Sequence, residues 1–68
     1  MNEIIFLVGQ APEGSFTARA LDASIFTKAE NAEELRTRVR DAVRCHFDNG
    51  KIPKMIRLHF VRDEVIAA

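Results

Sequence analysis

The sequence has no tryptophan and no tyrosine, a single cysteine, and no excess of either charge. Without Trp or Tyr, base stacking would fall to the five Phe residues or the two His. One cysteine cannot close an internal disulfide, which points to a reducing compartment and makes cytoplasmic the expected location. Ten Lys and Arg against ten Asp and Glu leave no net charge, whereas a general nucleic-acid binder carries a basic excess. The longest apolar run, Ile4 to Val8, is too short to span a bilayer and lacks the flanks of a signal peptide, so no membrane partner is expected. Sixty-eight residues leave no room for a large α/β architecture, and such a chain buries only roughly 60% of its unfolded surface. No linker, repeat or low-complexity tract interrupts it. Residues 1–68 therefore read as a single domain.

What is present orders itself into five elements. Ile4-Ile5-Phe6-Leu7-Val8 is β-branched and aromatic without alternation, which fits a strand buried on both faces. Pro12 and Gly14 supply a tight turn, one presetting φ and the other permitting a positive value. Phe16 to Ala20 alternates at period two, so these segments predict a hairpin. A reversal at Leu21-Asp22-Ala23-Ser24 leads to a short third strand, Ile25-Phe26-Thr27. Asn31 followed by Glu34 resembles a capping box, with the Asn side chain accepting from the helix and Glu34 reaching back. Leu35, Val39, Ala42, Val43 and His46 then recur at helical spacing to Phe47, and Asn49-Gly50 is expected to stop the helix. Met55 to Val61 alternates again. The order β-β-β-α-β predicts an α+β fold, one helix on one face of a four-stranded sheet, with the last strand free to lie parallel to the first.

One helix covers one face only. Phe16, Ala18, Ile56, Leu58 and Phe60 are expected beneath it, with alternate residues of the first strand. Thr17, Arg19, Arg57 and His59 fall opposite, with either Ile4/Phe6/Val8 or Ile5/Leu7. A mixed apolar and basic sheet surface in so small a chain predicts a covering partner or second copy. The alternative is a solvated face whose scattered apolar residues carry no meaning.

Few residues invite a catalytic reading. His46 falls in the apolar stripe of the helix and reads as a core histidine with a backbone partner. Cys45 points about 100° away from it, so the two cannot form a nucleophile–base pair. His59 lacks any partner at metal-ligand spacing, and no metal or cofactor is expected. Asp22, Asp63 and Glu64 are the acids near strand ends; a two-metal nuclease needs several carboxylates converging from different strands. Arg36, Arg40 and Arg44 form an i, i+4, i+8 row. That row is either a solvated face, with Glu34–Arg38 and Arg44–Asp48 pairs, or a stripe that meets an acidic surface or RNA phosphate.

Pro12-Glu13-Gly14-Ser15-Phe16-Thr17-Ala18 is similar to the Gly-Gly-Tyr-type entry into the second strand of HicB-like antitoxins. Ile25-Phe26-Thr27 followed by Asn31-Ala32-Glu33-Glu34-Leu35 resembles their third strand and helix start, and Arg40 to Phe47 continues the likeness. The resemblance implies a degenerate RNase H-like fold that dimerises and covers the active site of a small HicA-type mRNA-cleaving toxin. Two motifs depart from the family: Leu21-Asp22-Ala23-Ser24-Ile25 replaces its Leu-Pro-Gly-Cys stretch, and Gly14-Ser15 its Gly-Gly pair. Relatives often continue into a DNA-binding domain; the residues to Ala68 contain none, and direct DNA binding is not expected.

The sequence thus predicts a non-catalytic binding module that partners itself and a small basic toxin protein. Its expected interface is Ile5, Leu7, Thr17, Arg19, Arg57 and His59 on the sheet, with Arg36, Arg40 and Arg44 on the helix. The apolar strand face is expected to make the dimer. Glu13, Asp22, Asp63 and Glu64 are expected to contact a basic partner. Two other classes stand beside this reading: a solitary homo-oligomeric module of the same fold, and a metal-dependent RNase H-like nuclease.

Overall fold

The structure, a computed structural model, describes residues 2–62 and 64–68. Its elements are β1 (Glu3–Gln10), β2 (Phe16–Ala20), β3 (Phe26–Ala29), α1 (Ala32–His46) and β4 (Met55–Val61). They form an α+β unit with one mixed sheet in the order β3-β2-β1-β4. β1 is antiparallel to β2 and parallel to β4, so the helical crossover does bring the last strand beside the first. Among the described residues no helix is long and apolar enough to cross a membrane.

Local chemistry explains the joints. In the β1–β2 turn the Gly14 N–H donates to the Ala11 carbonyl at 2.9 Å, and Gly14 takes a φ of 102°. Asn31 Oδ1 accepts from the Glu34 N–H at 2.7 Å, capping the helix as expected. The reciprocal half of the capping box is absent: the Glu34 carboxylate turns instead to Arg38 Nε, 2.6 Å away. The charged i+4 partner offers the stronger hydrogen bond.

The core lies between α1 and one sheet face. Ile4, Phe6 and Val8 of β1, Ala18 and Ala20 of β2, and Ala29 of β3 are buried against Leu35, Val39 and Val43. β1 therefore alternates buried with half-buried residues, and its uniform apolar run does not mark a strand closed on both sides. Only one helix is available to close it.

Four further expectations need correction. The third strand begins at Phe26 rather than Ile25, which is buried as the last residue of the preceding turn. The helix stops at His46, where Phe47 becomes extended; Asn49 and Gly50 form the next turn, with Lys51 N–H donating to the Asp48 carbonyl. His46 is exposed, because the helix ends there and the buried stripe closes at Val43. Its ring meets Phe47 edge-on at 4.9 Å. The early stop also leaves Asp48 off the helix, and the described ion pairs do not include Arg44–Asp48.

The fourth correction concerns coverage. A helix about 10 Å wide spans roughly two strands at about 4.8 Å spacing. α1 lies over β2 and β3, with its side chains reaching β1. Ile56 and Leu58 on the same face of β4 are only half-buried, and Phe60 is 51% exposed. Phe60 meets Phe16 edge-to-face at 6.1 Å across β1.

Candidate functional site

Pairing register fixes what the uncovered sheet face presents. Leu7 is opposite Arg19 on β2 and His59 on β4, and Arg19 is opposite Phe26 on β3. One row thus runs Phe26, Arg19, Leu7, His59 across all four strands. The next runs Lys28, Thr17, Gly9, Val61. Arg57 lies opposite Ile5. Period-two alternation therefore brings Ile5, Leu7, Thr17, Arg19, Arg57 and His59 onto a single face, opposite the buried Ile4, Phe6 and Val8.

Ile5 and Leu7 are half-buried at the centre of that face, between the charged side chains of neighbouring strands. Sequence reading leaves out several of its members. Phe26 and Met55 are 65% and 61% exposed there, and Glu3 shares the face with them. The sequence reading gives the third strand no face, and parity along it puts Phe26 opposite the buried Ala29. Burial of Ala29 is the signal that sets it.

Glu3 and Arg57 form a two-pronged ion pair, Arg57 Nε and Nη2 donating to the two carboxylate oxygens at 3.0 Å each. Hydrogen bonding from Arg57 first, and its charge less, hold the Glu3 carboxyl below its usual range. Glu13 is also lowered, chiefly by the Ser15 hydroxyl donating to it at 2.8 Å.

The arginine row occupies a different place. Arg36, Arg40 and Arg44 line one wall of a groove of about 520 Å³ between α1 and β4. Ile56 and Leu58 line its strand side, and Ile52, Pro53 and Lys54 its end. All three arginines are exposed, and among the described residues none makes an ion pair.

The acids do not gather. Glu13 sits in the β1–β2 turn and Glu64 follows β4, so both lie at the end where the parallel strands β1 and β4 finish. Asp22 sits in the β2–β3 turn at the opposite end. Asp63 lies outside the described residues. Asp22 and Glu64 thus cannot converge on one metal pair, and among the described residues no three of His, Cys, Asp and Glu lie together. Cys45 is an exposed free thiol on the helix.

The chain is 54% identical over 52 residues to a UPF0150 protein of Archaeoglobus fulgidus, covering 76% of this chain and 77% of that one. It is 40% identical over 65 residues to a UPF0150 protein of Thermotoga maritima, covering 96% and 91% respectively. No family model matches the chain, and no solved structure gives a significant match.

Proposed function

The chain belongs to the UPF0150 family, and we propose that it acts as a non-catalytic protein-binding module of the HicB-like antitoxin type. Its partner is a small basic toxin that cleaves mRNA. The module sits over the toxin's active site and denies access to RNA, so its mechanism is steric and electrostatic. The same reading puts the protein in the cytoplasm, where mRNA is translated.

One observation carries the reading: the uncovered sheet face has Ile5 and Leu7 at its centre and Arg19, Arg57 and His59 around them. An apolar centre within a polar rim is the anatomy of a protein–protein interface. Against a basic partner Ile5 and Leu7 carry the contact, since Arg19 and Arg57 add no attraction. Glu13 and Glu64, at one end of the sheet, offer carboxylates to a basic partner. The resemblance to HicB-like antitoxins rests on the β2 entry, the third strand and the Asn31-capped helix start.

Co-expression tests it. The reading requires a small basic protein encoded beside this chain, one that arrests growth alone and loses that effect when the chain is supplied. The absence of such a neighbour overturns it. Leu7→Asp should abolish the rescue while the variant stays folded. Growth arrest that persists in the presence of soluble wild-type chain overturns the proposal.

A further inference from the structure

Among the described residues four strands carry a single helix, which leaves half of the sheet's helical layer open. Along that open half runs the groove between α1 and β4. Its floor is aliphatic, with Val39 and Val43 on the helix side and Ile56 and Leu58 on the strand side. Its rim is cationic: Arg36, Arg40, Arg44 and Lys54 are all exposed. Among the described residues no Asp or Glu lines it, and no aromatic ring does. The arginines recur every four residues, about 6 Å apart along the helix axis, so the row spans about 12 Å. A second helix lying alongside α1 has the same rise, and carboxylates at every fourth position stay in step with that row. Neighbouring helices pack with their axes about 8–10 Å apart, a gap that a long arginine side chain bridges. The floor calls for apolar side chains on the adjoining stripe of the same helix. RNA phosphates would answer the arginines, but they would leave the aliphatic floor uncovered. A base would find no ring there to stack on.

We propose that this groove is the docking site of an acidic amphipathic helix from a partner protein. The apolar stripe of that helix covers Ile56 and Leu58, and its carboxylates pair with Arg36, Arg40 and Arg44. It completes the layer that α1 begins, as a peptide helix laid into a groove. Exposed arginine–carboxylate pairs each contribute little, so the apolar stripe supplies most of the affinity. The arginine row sets orientation and excludes basic partners. This occupant is opposite in charge to a basic toxin, and it lies on the other side of the sheet from Ile5 and Leu7. It stands or falls independently of the antitoxin reading.

Titration of the full chain with a synthetic peptide tests the assignment. The probe has about 15 residues, leucine along one stripe and glutamate at every fourth position beside it. It should bind saturably and gain helical dichroism on binding. A scrambled peptide of the same composition should bind about tenfold or more weakly. The double variant Arg40→Glu/Arg44→Glu should also lose about tenfold or more in affinity for the probe. Both arginines are exposed, so the fold survives their substitution. Exchanging glutamate for lysine in the peptide should restore binding to that variant. Leu7→Asp should leave binding of the probe unchanged. A probe that fails to bind, or a scrambled peptide that binds equally well, overturns the proposal. So does binding that ignores the arginine substitutions but disappears with Leu7→Asp. Arginine-dependent binding of labelled single-stranded RNA in place of the peptide overturns it as well.

Discussion

Arg57 on β4 grips Glu3 on β1 with two hydrogen bonds of 3.0 Å, joining residues 54 positions apart. The pair ties the start of the first strand to the last strand on the uncovered face. Glu3 titrates below its ordinary value of 4.5, through the Arg57 hydrogen bond before its charge. A carboxyl depressed in the folded state stabilises the fold above its unfolded value, and that contribution disappears as pH falls through the lower, folded one. Nuclear magnetic resonance titration should therefore place the Glu3 midpoint below 4.5, and Arg57→Ala should return it to the ordinary range. In Glu3→Gln the acid limb of the stability curve should flatten.

The helix start offers a separate test. Asn31 Oδ1 is the acceptor for the Glu34 N–H, and alanine leaves that donor without it. Asn31→Ala should cost about 1 kcal/mol, read as a melting temperature lower by roughly 5 °C. Because Glu34 turns to Arg38, Glu34→Gln should not reproduce that loss.

Core and face separate by substitution. Leu35 is fully buried between the helix and the sheet, and Leu35→Ala should cost about 3 kcal/mol in denaturant unfolding. For a chain of this size that is a large share of the total. Phe26→Ser removes a largely exposed ring and should change stability by less than about 0.5 kcal/mol. A large loss from Phe26→Ser would show that the uncovered face is already packed.

Two glycines should respond in opposite directions. A Cβ at Gly9 would meet Thr17 Oγ1 at 3.6 Å, an ordinary contact, and its backbone is not left-handed. Gly9→Ala should raise stability by up to about 1 kcal/mol, by stiffening the unfolded chain. Gly50 has a φ of 84°, and Gly50→Ala should cost about 1 kcal/mol. Thermal unfolding of the two variants measures both.

Much of this fold is legible in the residues because its signals are local. Alternation marks β2 and β4, Pro12 and Gly14 mark the first turn, and Asn31 marks the helix start. The face holding Arg19, Arg57 and His59 follows from the same period-two rule, while β1, apolar throughout, leaves Ile5/Leu7 and Ile4/Phe6/Val8 both open until pairing sets its face. What escapes is set by tertiary width and by distant pairing. Phe60 has the right parity for the core, yet stays half-exposed because one helix cannot reach the fourth strand. His46 fits the helical stripe, but the helix ends there and the residue stays exposed. Glu3 could not be matched to Arg57 before the register of β1 against β4 was known.

The proposed blocking of a toxin by the uncovered sheet face is tested most directly by RNA cleavage in vitro. The small basic protein that the reading expects to co-purify with this chain is incubated with labelled mRNA while the chain is titrated in. Cleavage should stop near equimolar chain and persist when Leu7→Asp replaces the wild type. Cleavage that continues at saturating wild-type chain, or metal-dependent RNA cleavage by the chain itself, would contradict it.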